Sequence, residues 1–256
     1  MAGLGARAVL VTGANRGIGL ELVRQLAGGP DAPRWIFACC REPDGVHGQK
    51  LRKLVSSHPN LVIVKLDVTN HATIKAAATY VEDHLEDTGL NLLINNAGVL
   101  AEVALETVAP QDMLNGYNSN VVGPLLVSQA FLPLLRRAAQ GSIQKGLSCS
   151  RAAIINISTV LGSIGLAPHT FVKHVISYRC SKAALNMLTK CQSLDYKEDG
   201  ILCAAVHPGW VKTDMGTQQA DLTVDESVRG ILSVLSRFGD EHNGAFVNWK
   251  GETIPW

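Results

Sequence analysis

Short apolar runs recur along the chain, at residues 7–12, 34–40, 61–66, 90–94, 152–157, 201–206 and 245–249. Runs of this length, apolar on both faces, suit strands buried in a parallel sheet. Between them lie stretches whose apolar positions fall three and four apart, the period of a helix with one buried face. Such stretches follow at 20–26, 51–55, 71–85, 108–117 continuing to about 137, from Tyr178 onward, and at 225–238. Strand and helix alternate from end to end without a break in composition. The pattern predicts a single α/β domain built on a doubly wound parallel sheet of about seven strands. Residues 141–150 are polar and irregular and read as a surface loop.

In such a sheet, small molecules bind beyond the C-terminal ends of the strands. The polar residues of interest cluster at those ends. Thr12-Gly13-Ala14-Asn15-Arg16-Gly17-Ile18-Gly19 joins the first strand to the first helix. Glycines there let the backbone approach a pyrophosphate, and the helix start offers free N–H groups. After the second strand come Cys40 and Arg41, where an NAD site would place an acid and an NADP site an arginine. Arg16 adds a second positive charge. Asp67-Val68 ends the third strand, and Asp67 either bonds an adenine amino group or caps the helix that begins near His71. Asn95-Asn96-Ala97-Gly98 ends the fourth strand, Ser158-Thr159 the fifth, and His207-Pro208-Gly209 the sixth. Asn120 sits inside a helical pattern, where asparagine bonds locally and marks a kink and a polar site.

Tyr178 and Lys182, four apart, share one helix face. An ammonium ~4 Å from a phenol, at an effective dielectric of ~20, favours the phenolate by ~4 kcal/mol, roughly three pK units. Burial opposes this, because it disfavours the charged phenolate. In a wet cleft the charge is expected to win, giving a tyrosine that trades protons near neutral pH.

Composition narrows the picture. The chain has 256 residues, 46% apolar and 18% charged, with a net charge of +1. That balance gives no basis for a nucleic-acid groove or an acidic membrane surface. The longest apolar region, 121–135, is broken by Gly123, Pro124 and Pro133 and is too short to span a bilayer. Six cysteines and eight histidines lack metal-ligand or Cys-x-x-Cys spacing. With no signal-peptide pattern in the first residues, the expected compartment is the cytoplasm, with reduced thiols.

Taken in order, Thr12-Gly13-x-x-x-Gly17-x-Gly19, Asn95-Asn96-Ala97-Gly98, Asn120, Ser158-Thr159, Tyr178-x-x-x-Lys182 and Pro208-Gly209 resemble the short-chain dehydrogenase/reductase family over essentially the whole chain. Residues 40–43, 161–164 and 207–215 look closest to sniffer-type carbonyl reductases. The resemblance implies a Rossmann-type sheet, NADPH as cofactor and hydride transfer to a small carbonyl compound. It implies Tyr178 as general acid, Lys182 as the residue that lowers its pKa and binds the nicotinamide ribose, and Asn120 as holder of a water in the proton relay. Gly13, Gly17 and Gly19 would cradle the pyrophosphate, with Asn15, Arg16 and the Ile18 N–H beside it. Asp67 and Val68 would meet adenine, and Asn95 the adenosine-side ribose, with Ala97 and Gly98 in the same crevice. Pro208, Gly209, Val211 and Thr213 would line the nicotinamide amide.

Two departures stand out. The family's second strand-end serine, which polarises the carbonyl, is Thr159 here; threonine keeps the hydroxyl but restricts its rotamer. Ser158 is the alternative donor, although strand alternation turns it elsewhere. The stretch from Thr159 to Tyr178 is also longer than usual, which leaves monomer and homodimer both open. Its apolar residues Leu161, Ile164, Leu166, Phe171 and Val172 are expected at the substrate end. A nucleotide sensor without turnover is the competing reading, and a methyltransferase is disfavoured by Cys40-Arg41.

Overall fold

A computed structural model of the protein describes residues 3–170 and 172–256. Seven strands, β1 (Ala8–Thr12), β2 (Trp35–Cys40), β3 (Leu61–Lys65), β4 (Leu92–Asn95), β5 (Ala153–Ile157), β6 (Leu202–His207) and β7 (Phe246–Asn248), form one sheet in the order β3-β2-β1-β4-β5-β6-β7. All neighbours pair in parallel. The order reverses between β1 and β4, so a crevice opens where the chain after β1 and the chain after β4 part in opposite directions.

Alternation along the strands builds two cores. Val9, Val11, Ile36, Ala38, Ile94, Ile155 and Val206 face one side, with α1 (Gly17–Gly28), α2 (Gly48–Val55) and α7 (Val224–Leu235). Leu10, Phe37, Leu93, Ile154 and Cys203 face the other, against α3 (His71–Leu85) and α5 (Gly123–Gln140). Two further helices, α4 (Pro110–Tyr117) and α6 (Ile176–Asp195), pack together at the edge of this second layer. Because both faces are covered, the strands read as unbroken apolar runs, as the sequence pattern implied.

The helix boundaries have local causes. Pro110 sits in the first turn of α4, where its missing N–H costs nothing. Thr223 and Glu226 cap α7 reciprocally. Asn70, not Asp67, caps α3, accepting from the Ala72 and Thr73 N–H groups. Asp67 instead closes its own turn, accepting from the N–H and hydroxyl of Thr69. The 141–150 segment departs from the expected surface loop, since it buries Leu147 and Cys149. Arg151 draws it in by donating to the Gly146 and Ala139 carbonyls. Isolated apolar residues in a polar run carry no period, so the pattern could not reveal them. All six cysteines are free thiols; Cys39, Cys40, Cys149 and Cys203 are buried, Cys180 and Cys191 exposed.

One glycine fixes how close α1 comes to β1. A Cβ on Gly19 would lie 2.2 Å from the Gly13 carbonyl oxygen and 2.6 Å from Asn96 Nδ2. Gly19→Ala must therefore push α1 off the sheet. Overpacking of this kind costs about 1–3 kcal/mol, or roughly 3–10 °C in a domain of this size. A thermal melt of the variant within a degree of the native protein would refute the close-packing role.

Candidate active site

The cleft beyond the strand ends has a volume of about 1030 Å³. Its floor begins at the turn from β1 to α1. Gly13 and Gly17 have φ of +65° and +50°, a region that glycine enters without strain. A Cβ on Gly13 would sit 3.0 Å from the Ala97 Cα. Thr12 braces this turn from below: its hydroxyl accepts from the Asn96 and Ala97 N–H groups, and Asn96 Nδ2 donates to the Thr12 carbonyl. No side chain caps the start of α1. Its first N–H groups therefore stand free beside a glycine cradle, which fits an anionic pyrophosphate. Asn15, Arg16, Gly17 and Ile18 line this part of the cleft. Arg16 is tied loosely to Asp214 at 3.2 Å, both side chains being largely exposed.

Arg41 lines the same end, next to Cys40, Asp67 and Val68. His47 joins them, a residue that its sequence context did not single out. Ala97 and Gly98 line the middle. Pro208, Gly209, Val211 and Thr213 line the cleft as well, and Thr213 Cγ2 lies only 3.3 Å from where a Cβ on Gly17 would sit. His207, at the end of β6, also reaches the cleft, and burial pushes its imidazole down to about 4, so it is neutral at ordinary pH.

Three anticipated residues do not face the cleft. Gly19 is a packing contact, as described above. Asn95 is buried in the sheet, with its amide donating to Asn156 Oδ1 at 2.9 Å and Ser128 Oγ at 3.3 Å. Its side chain is therefore turned away from a ribose, and the next residue, Asn96, lines the cleft instead. The amide of Asn120 is committed as well. Oδ1 accepts from the Val99 N–H at 2.8 Å, while Nδ2 donates to the Val99 carbonyl and to Ser181 Oγ, each at 2.9 Å. The kink expected here is present as a π-turn over Asn118–Val122. Pro124 stands four residues after Asn120 and has no N–H to give its carbonyl. Whatever Asn120 offers to the cleft comes from the main chain.

The end of the cleft expected to be reactive brings Thr159, Tyr178 and Lys182 together. Lys182 donates to the Ile157 carbonyl at 2.7 Å, and its ammonium lies 5.7 Å from the centre of the Tyr178 ring. Tyr178 is 9% exposed and Lys182 4%. This end is drier than the wet cleft imagined from sequence. Burial pushes the phenol up to about 12 and the ammonium down to about 8. The balance expected between charge and burial is thus reversed in the protein alone: Tyr178 stays protonated. The two strand-end hydroxyls also separate. Ser158 donates its hydrogen to Asn186 Oδ1 at 2.6 Å. Thr159 Oγ1 accepts from the Leu161 N–H at 3.3 Å, which leaves its own hydrogen available to a ligand.

At the expected substrate end, Leu161 and Val172 line the cleft, with Trp210 and Met215 from the loop after β6. Ile164 points outward, and Leu166 packs on Phe246 and Ile254. Phe171 lies outside the described residues. A bridge between Val103 and Val175 joins the segment after β4 to the start of α6 beside Tyr178. No helix among the described residues is long and apolar enough to cross a membrane.

Comparison with known proteins agrees with this geometry. A family profile described as short chain dehydrogenase matches residues 7–222. The chain belongs to the short-chain dehydrogenase family. Among solved structures it is similar to an NADPH-bound carbonyl reductase from chicken fatty liver, with 55% identity and a TM-score of 0.94, covering 98% of this chain and 99% of that one. It is also similar to the carbonyl reductase Sniffer of Drosophila melanogaster, with 38% identity and a TM-score of 0.93, over 98% and 100% of the two chains. A Schizosaccharomyces pombe protein described as an uncharacterized oxidoreductase is 31% identical over 96% of each chain.

The buried lysine has a measurable consequence. Its pKa is about 8 folded against 10.5 unfolded. Between those values the unfolded chain binds the extra proton, so native stability rises with pH through that window. Below it the full penalty remains, about 3–4 kcal/mol at roughly 1.4 kcal/mol per unit, offset by ~1 kcal/mol from the bond to Ile157. Lys182→Met is expected to melt above the native protein near neutral pH, with the gap closing as pH rises from about 8 toward 10.5. A gap that does not change with pH would show that the ammonium is not held in a desolvated state.

Proposed function

We propose that this short-chain dehydrogenase is an NADPH-dependent reductase of aldehydes, ketones or quinones. The observation that carries the reading is the meeting, in one cleft, of a glycine cradle at an uncapped helix start with a protonated tyrosine and a free threonine hydroxyl. The descriptions of the chicken and fly reductases support the same class. When bound, NADPH supplies the hydride.

The chain's own groups do the rest. The Thr159 hydroxyl donates to the carbonyl oxygen and fixes its direction. Tyr178 gives its phenolic proton to the same oxygen as negative charge develops there. A phenol held protonated by burial suits the reductive direction, in which it starts as the acid. Lys182 keeps a positive charge near the phenolate that results, and in this reading it also holds the nicotinamide ribose. In this reading the Asn120 main-chain carbonyl, which Pro124 cannot bond, holds a water that returns a proton toward Lys182. Gly13, Gly17, Asn15 and the Ile18 N–H hold the pyrophosphate. Arg16 and Arg41 hold a 2′-phosphate, since Cys40 leaves no carboxylate at the usual place of a ribose-binding acid. Asp67 and Val68 border the adenine. Pro208, Gly209, Val211 and Thr213 border the nicotinamide amide.

Apolar and aromatic carbonyls fit the exposed apolar side chains at the mouth, Val172, Trp210 and Met215. The pool of free thiols and the use of NADPH both suit the cytoplasm.

The test is oxidation of NADPH by the purified protein with aromatic aldehydes, diketones and quinones, and with NADH in parallel. Tyr178→Phe should lower kcat at least a hundredfold with NADPH affinity kept. Arg41→Ala should weaken NADPH roughly tenfold to a hundredfold and leave NADH unchanged. Tight NADPH binding without turnover by the native protein would assign a sensor role instead.

A further inference from the structure

The two hydroxyls that must meet on one carbonyl oxygen come from different elements, Thr159 from the end of β5 and Tyr178 from α6. Their separation is therefore set by whatever ties β5 to α6. Lys182 makes one tie, through the Ile157 carbonyl, but it is itself part of the chemistry. Asn186 makes another. It lies one turn beyond Lys182 and two beyond Tyr178, on the same helix face, and is 3% exposed. Its Oδ1 accepts from Ser158 Oγ at 2.6 Å, and its Nδ2 donates to the Gly162 carbonyl at 3.3 Å. Ser158 immediately precedes Thr159. Gly162 ends the short 3-10 turn (Val160–Gly162) that Thr159 opens. One amide therefore grips the chain on both sides of Thr159. The close fit of that turn against the helix gives the grip its leverage: a Cβ on Gly162 would lie 2.8 Å from the Lys182 carbonyl carbon.

Resting on the reductase reading above, we propose that Asn186 is a positioning residue for the proton-donating pair: it sets the distance from Thr159 to Tyr178 and, by taking the Ser158 hydrogen, leaves Thr159 as the one strand-end hydroxyl free to donate to the substrate. Asn186 touches neither substrate nor cofactor in this scheme. Farther along α6, Asn156 Nδ2 bonds Thr189 and Gln192. That second polar anchor keeps the helix docked when Asn186 is changed, so the effect is local.

The experiment compares native protein with Asn186→Leu, which keeps the bulk and removes both bonds, and with Asn186→Ala, in case leucine is not housed. Melting temperature, NADPH affinity, KM, kcat and the isotope effect with NADPH deuterated at the transferred position are measured for each. A misplacement near 1 Å at a reacting centre lowers rates by about a hundredfold. The expected result is a kcat roughly tenfold to a hundredfold lower, with NADPH affinity and KM within about threefold of native and an isotope effect on kcat that rises because transfer has become slower. A purely structural residue would lower melting temperature and cofactor affinity together and leave the isotope effect alone; that outcome overturns the proposal. So does native kcat in a folded variant, which would leave the reductase reading standing. If the native protein itself fails to oxidise NADPH with any carbonyl, the reductase reading falls and takes this inference with it.

Discussion

The packing of α6 on the end of β5 turns on keeping a lysine charge in a dry place. Lys182 is held by one carbonyl oxygen and otherwise surrounded by the helix and sheet that bury it. Water would solvate it better, and the fold accepts that loss. In return, Tyr178 shares the same desolvated corner, where a nearby charge acts at low dielectric and a small displacement matters. The surrounding structure serves this pair: the end of β5 receives the ammonium, α6 presents both side chains four residues apart, and the π-turn before α5 brings Asn120 behind them.

The fold was legible because its signals are redundant. Each strand is a run of apolar residues on both faces, which a doubly covered parallel sheet demands, and each helix shows one apolar face. Shifting any boundary by a residue or two left the alternation intact. The glycine turn, Arg41, Asp67, the Thr159 strand end and the Tyr178-Lys182 pair were legible for a related reason. All but the pair fall at strand ends, which topology alone gathers at one edge; the pair lies on α6, where a spacing of four puts both side chains on one face.

What was not legible depends on which way a side chain turns and how dry it becomes. Asn95 and Asn96 are identical in sequence terms, yet the first is folded into the sheet and the second faces the cleft. No pattern distinguishes them without knowing where β4 stops. Asn120 was visible as an anomaly in a helix, but not as one whose amide is fully committed elsewhere. The titration of Tyr178 turns on distance and burial, which a sequence does not carry, and burial outweighs the nearby charge. Asn186 gave no signal beyond its place two turns after a tyrosine, where a polar residue on a helix reads as a surface position.

The distribution of thiols carries a practical consequence. Four cysteines are buried, and burial raises the pKa of each, so they react slowly with electrophiles. Cys180 and Cys191 are exposed on α6, eleven residues and so about 16 Å apart along its axis. A thiol-directed fluorophore or spin label would therefore settle on the back of the helix whose front holds Tyr178 and Lys182. The native chain already carries a pair of reporter sites there, with no substitution required.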